Sequence, residues 1–147
     1  MNVHFVCFSN TFRSRLANTY ANSLQLPSVT FSSSGIQADK NPNGPITWYA
    51  QRIIQKNKLT PFEKLQWTQT TEALLQEQDI VIFMTTSLYE DAQKLFTCNG
   101  TYKIFDINDI DVDDASSYDE FLEAMRISDA IFEEIKQKVQ NLVKELA

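Results

Sequence analysis

Cys7 ends the short apolar run Val3-His4-Phe5-Val6, and the stretch Phe8-Ser9-Asn10-Thr11-Phe12 carries the chain on to Arg13 and Ser14. The spacing is Cys-x5-Arg-Ser. A β-branched and aromatic run, a polar turn and then a helical pattern through Leu16, Ala17, Tyr20, Ala21 and Leu24 put that turn between a strand and a helix N-terminus. Such a turn collects an anion. Its backbone N–H groups converge on the centre, and the first-turn amides of the helix add unpaired donors and the positive end of the helix dipole. The same field favours a thiolate, which is a nucleophile where a buried neutral thiol is inert. Arg13 can fork two N–H donors onto two phosphate oxygens, a geometry lysine lacks. Ser14 can donate to the sulfur as it leaves. Cys7 could also be a small buried hydrophobe at a strand end; the spacing to Arg13 and Ser14 points to function instead.

An ionised nucleophile needs a separate proton donor for the leaving group, and a positioned carboxylic acid is the usual one. The run Asp106-Ile107-Asn108-Asp109-Ile110-Asp111-Val112-Asp113-Asp114 offers several. Each also suits a solvated turn or a helix cap. Asp109, Asp111, Asp113 and Glu120 further match the first, third, fifth and twelfth positions of a calcium loop. That fit fails at Asp114, where the sharp turn needs glycine, at Ser116, where an apolar anchor belongs, and at the strand-like Lys103-Ile104-Phe105.

These residues must be positioned by strands expected over Val3–Val6, Val29–Ser33, Ile80–Met84 and Tyr102–Phe105. Helical patterns fall over Arg13–Leu24, Ile46–Gln55, Phe62–Gln76, Ser87–Phe96 and Tyr118–Leu146. The alternation predicts an α/β fold, a three-layer open sheet of four parallel strands with helices on both faces. The last helix carries an apolar stripe from Phe121 and Leu122 to Leu146 that reads as a core face. Ligands in such sheets bind beyond the carboxyl ends of the strands, so Cys7, Gly35 and Thr85 should share one rim, walled by the loop from Asp39 to Trp48. Trp48 and Tyr49 either stack on an aromatic substrate or cover the second helix. Trp67 reads as helix core and His4 as packing.

At 147 residues, 43% hydrophobic and 22% charged, the chain is expected to form a single domain over 1–147. A formal net charge of −6 argues against a nucleic-acid partner and makes any anion site local, drawn from loop amides and Arg13 with Arg15 nearby. No apolar run suits a membrane span and no signal peptide opens the sequence, so no membrane partner and a cytoplasmic location are expected. Cys7 and Cys98 then have no reason to form a disulfide.

Val6, Cys7, Asn10, Arg13 and Ser14 make the chain resemble the low-molecular-weight protein tyrosine phosphatase family, whose loop reads approximately Val-Cys-x-Gly-Asn-x-Cys-Arg-Ser-Pro. Phe31-Ser32-Ser33-Ser34-Gly35 is similar to the family's second strand, Gln78 to Thr85 to its third, and the acidic stretch before the last helix to its acid loop. Ser9 replaces the loop glycine, Phe12 the second cysteine and Arg15 the proline, and no Asp-Pro dipeptide exists in the sequence. The resemblance implies a phosphomonoesterase acting through a phosphocysteine, without metal or cofactor. Its partners would be a phosphorylated protein or small phosphate ester and inorganic phosphate. Cys7 would be the nucleophile, Arg13 the phosphate ligand and Asp113, with Asp114 in the proline's place, the acid; Asp111 and Asp114 are substitutes. Phe8, Ser9, Asn10, Thr11, Phe12, Ser14 and Trp48 would bind substrate. Phosphotyrosine is favoured by the aromatic pair Trp48-Tyr49. Thr11, which relatives similar to protein-arginine phosphatases carry, keeps phosphoarginine open. The resemblance is also compatible with a non-catalytic phosphate-binding adaptor and, less readily, with an arsenate reductase relaying through Cys98.

Overall fold

The computed structural model describes residues 1–42, 44–110 and 115–146. The strands are β1 (Asn2–Cys7), β2 (Thr30–Gly35), β3 (Ile80–Phe83) and β4 (Thr101–Ile104). The helices are α1 (Arg13–Ser23), α2 (Trp48–Lys56), α3 (Glu72–Gln76), α4 (Thr86–Leu95) and α5 (Tyr118–Leu146). All strand pairs are parallel, in the order β2-β1-β3-β4, so the fold is the expected open α/β sheet. β1 is central and hydrophobic on both faces, with Val3, Phe5 and Val6 fully buried. α1 and α5 pack together on one face, where Tyr20 meets Phe132 edge-on, and α4 lies against β3 on the other, with Tyr89 on Phe83. Register pairs Cys7 with Gly35, and Met84 N donates to Val6 O at 3.0 Å, which aligns the carboxyl ends of β1, β2 and β3 on one rim.

The helix expected over Phe62–Gln76 does not form. Thr60–Phe62 is a single 3-10 turn, and α3 begins only at Glu72, where Thr71 Oγ1 accepts from Leu74 N at 3.2 Å. Between them the chain pairs with the end of β2: Gly35 N donates to Thr68 O, and Thr70 N to Gly35 O, both at 2.9 Å. The exposed edge of β2 offers these partners, and the β-branched Thr68 and Thr70 suit an extended backbone. Trp67 accordingly sits half-buried on this segment and not in a helix core. A second departure lies at the start of α5. Phe121 and Leu122 are each 41% exposed, and the buried stripe begins at Ala124; Phe121 instead packs on Trp48, centroids 5.3 Å apart.

His4 is packing, as expected, but with partners on the neighbouring strand. It has no exposed surface, and its Nδ1 and Nε2 lie 2.6 and 2.7 Å from Ser32 Oγ and Ser34 Oγ. Burial first, then the charge of Lys64, lowers its pKa from 6.5 to about 3. Between those values the unfolded chain binds a proton that the folded one refuses, so stability falls as pH drops from 6.5 towards 3. The slope from this one residue is at most about 1.4 kcal/mol per pH unit. His4→Gln should flatten that part of the acid sensitivity, read as urea midpoints at neutral and acid pH; equal slopes in both proteins would show that His4 does not cause it.

Candidate active site

The turn between β1 and α1 is built by tying its carbonyls outward. Ile36 N donates to Cys7 O at 3.0 Å, Gln37 N to Phe8 O at 2.8 Å, Arg15 Nη1 to Asn10 O at 3.1 Å, and both Thr47 N and Thr47 Oγ1 to Thr11 O at 3.1 Å. None of the described peptide bonds is cis. In a trans peptide the N–H opposes the C=O, so each outward carbonyl turns the next amide toward the inside of the loop. α1 begins directly at Arg13 with no side-chain cap, leaving its first-turn amides unclaimed. The result is a ring of donors with Cys7 at its floor.

The loop can close this tightly because of two residues. Gly35 faces it so closely that a Cβ would lie 2.6 Å from Asn10 N and 2.7 Å from Phe8 O, contacts no side chain tolerates. Asn10 takes a left-handed φ of 57° and uses its whole side chain to hold it. Its Nδ2 donates to Ser14 Oγ at 2.7 Å and to Ser33 Oγ at 3.0 Å, and its Oδ1 accepts from Thr68 N at 2.9 Å. Asn10 N in turn donates to Cys7 Sγ at 3.2 Å, and Ser14 Oγ lies 2.8 Å from the same sulfur. Since Ser14 Oγ already accepts from Asn10, its hydroxyl proton is available to an ionised sulfur.

A small cavity opens above Cys7, lined by Ser9, Thr11, Phe12 and Arg13 from the loop, Thr47 and Tyr49 from the start of α2, and Asp109 from the segment after β4. Arg13 is buried, its Nη1 donating to Ile107 O at 2.9 Å and its Nη2 lying 3.5 Å from Asp109 Oδ2. Burial, then Asp109, raises the Tyr49 pKa against the opposing Thr47 hydrogen bond. Such a cup suits a tetrahedral oxyanion, with amides around it, a guanidinium on one side and a sulfur in line beneath.

Cys7, Ser9, Thr11, Phe12 and Arg13 thus line one cavity. Asn10 and Ser14 stand behind the cup as supports, and Phe8 is 49% exposed outside it. Trp48 is on the rim, edge-on to Tyr49 and against Phe121. Phe12 packs edge-on against Tyr49 at 4.9 Å. Asp113 lies outside the described residues, as do Asp111 and Asp114. Arg15, expected near the anion, is turned to the back of the loop and does not line the cup. Tyr49, one of the two aromatics the sequence offers for stacking, and Asp109, one of several carboxylates in the acidic run, line the cup, and so does Thr47, which the sequence does not single out. Asp109 carries a signal in the acidic run and Tyr49 in its pairing with Trp48, whereas Thr47 carries only that of a helix cap. The calcium-loop spacing finds no support from the neighbouring elements, since β4 stands where a first helix belongs. Behind the cup Lys64 Nζ donates to Ser33 O at 2.8 Å and Thr68 Oγ1 at 2.9 Å. Burial, then the Arg15 charge, lowers its pKa from 10.5 to about 7, opposed by the attraction of Cys7.

A family model described as low molecular weight phosphotyrosine protein phosphatase matches residues 2–147. Among solved structures, Wzb from Vibrio vulnificus in complex with benzylphosphonate is 23% identical, with TM-score 0.74, covering 98% of this chain and 97% of that one. The tyrosine phosphatase Wzb from Escherichia coli K30, in complex with sulphate, is 19% identical with TM-score 0.74, over 99% and 98%. The arginine phosphatase YwlE, as a mutant with a phosphorylated active-site serine, is 24% identical with TM-score 0.66, over 98% and 97%. No curated protein sequence matches. At these identities the structures speak for the fold.

Phe12 and Cys98 together set the redox behaviour of the site. Phe12 cannot react, and Cys98 lies half-buried just before β4, at the amino end of the sheet, whereas Cys7 closes the carboxyl end of β1. Peroxide should therefore carry Cys7 past sulfenic acid with little recovery by dithiothreitol. Peptide mass mapping checks this, and a Cys7–Cys98 crosslink would contradict it.

Proposed function

Because the chain belongs to the low molecular weight phosphotyrosine protein phosphatase family, we propose that it hydrolyses phosphotyrosine in proteins through a phosphocysteine on Cys7. The observation that carries this reading is the sulfur itself, which accepts from Asn10 N at 3.2 Å and lies 2.8 Å from Ser14 Oγ at the floor of a cup shared with Arg13. The thiolate attacks phosphorus in line as the bond to the leaving oxygen breaks, while Arg13 and the loop amides hold the three equatorial oxygens. Ile107 O and Asp109 hold the Arg13 guanidinium in place. Asp113 gives its proton to the departing oxygen, then takes one from the water that cleaves the phosphorus–sulfur bond, releasing phosphate and restoring the thiolate. Asp109 is paired with Arg13; what supports Asp113 as the acid is its place in the acidic stretch that resembles the family's acid loop, with Asp111 and Asp114 as substitutes.

Cys7→Ser should abolish hydrolysis of nitrophenyl phosphate yet keep phosphate binding, and Arg13→Lys should lose most of the rate. Binding without turnover in the native chain would make it an adaptor, and full activity of Cys7→Ser would end the phosphocysteine mechanism. Asp113→Asn should lower kcat strongly for poor leaving groups and weakly for nitrophenyl phosphate. The same pattern in Asp109→Asn would move the acid to Asp109.

One observation favours a second substrate. Asp109 and Thr11 both line the anion cup, and the Asp109 carboxylate, paired with Arg13 but half exposed, can also face a substrate guanidinium. The aromatic ridge of Trp48, Tyr49 and Phe121 on the same rim favours phosphotyrosine. Comparison of kcat/KM for phosphotyrosine and phosphoarginine peptides in native protein and Thr11→Ile decides: tyrosine preference in both is expected, whereas an arginine preference that collapses in the variant reverses the assignment.

A further inference from the structure

Arg15, third in α1, is 1% exposed, and its guanidinium meets only carbonyl groups: Asn10 O at 3.1 Å, Pro45 O at 2.8 Å and Lys64 O at 2.6 Å. Its Nε has no hydrogen-bond partner among the described residues. A buried guanidinium satisfied only by carbonyls carries a desolvation penalty that is offset only where its partners are held in good geometry. Its three partners lie on three separate segments, and one of them is the phosphate loop.

What Arg15 grips in that loop is the Asn10 carbonyl, the one outward tie made by a charged side chain. The Asn10–Thr11 peptide is trans, so holding its oxygen at the back aims the Thr11 N–H into the cup. Pro45 and Lys64 fix Arg15 in turn. Pro45 leads into Thr47, which binds the Thr11 carbonyl, and Lys64 leads into Thr68, whose N–H binds Asn10 Oδ1. We propose that Arg15 is a positioning residue for the phosphate site, setting the Asn10–Thr11 peptide so that the cup is closed to the dimensions of a phosphate before any ligand arrives.

The inference rests on the phosphatase reading, and its test separates the two. Inorganic phosphate is titrated into native protein, Arg15→Met and Arg15→Lys, with nitrophenyl phosphate kinetics and thermal midpoints alongside. Arg15→Met should weaken phosphate binding and kcat/KM about tenfold or more. Arg15→Lys should regain thermal stability but not phosphate affinity, since a single ammonium nitrogen lacks the two-armed span by which Nη1 and Nη2 reach carbonyls on separate segments. Native phosphate affinity and kcat/KM in a folded Arg15→Met, with only the midpoint lowered, would overturn the inference alone. Native protein that neither binds nor hydrolyses phosphate esters would overturn both readings. If Arg15→Met does not fold, amide NMR of the native protein decides, because saturating phosphate should shift the Thr11 N–H strongly downfield; an unmoved Thr11 amide would overturn the proposal.

Discussion

The site depends on who holds the carbonyls of residues 7, 8, 10 and 11. A loop of this length left to itself presents carbonyls and amides to its centre without preference, and an anion would be repelled by half of them. Here Ile36, Gln37, Arg15 and Thr47 each take a carbonyl from outside, so the inward face is left to N–H groups. The anion site is thus made less by the loop's own residues than by the donors placed around it. Those donors stand on three neighbouring stretches of chain: the segment after β2, the first turn of α1, and the N-cap of α2. The parallel sheet brings the first two to one rim, and α2 arrives there through the hydrogen bonds of Thr47.

Steric exclusion complements these ties. Gly35 lets β2 end against the loop, and its own N–H and C=O are taken by residues 68 and 70, so the glycine is both contact surface and strand end. Asn10 occupies the space so released in a left-handed conformation whose cost is met by side-chain hydrogen bonds to Ser14, Ser33 and Thr68 N. Ser33 passes the network on to Asn18 Oδ1 at 2.9 Å, joining the loop to the middle of α1.

The local features are legible in the amino-acid sequence because their partners lie close along the chain. Cys7, Asn10, Arg13 and Ser14 fall within one strand-turn-helix, and the strand periodicity places all four strands to within a residue or two at each end. The span of α5 is equally plain. Its first turn is not, since a helical stripe cannot show that Phe121 overhangs Trp48 instead of entering the core. The failure at 62–76 has the same origin: apolar spacing alone suits a helix, while the end of β2 that draws residues 68–70 into extended pairing lies far off along the chain. Arg15 is the sharpest case. Two residues after Arg13 it reads as a cation near the anion, and only three carbonyls converging from elsewhere explain its burial behind the loop.

One hydrogen bond, from Thr68 N to Asn10 Oδ1, spans 58 positions and crosses from one edge of the sheet to the loop after its central strand. Contacts of that separation require long loop closures and are favoured only once much of the chain is in place. The anion cup is therefore complete only when the segment at Thr68 is docked against the loop. By mass action, a ligand that fits only the finished cup draws the whole chain toward the finished state, so phosphate concentration acts on the folding equilibrium of the protein and not on its loop alone.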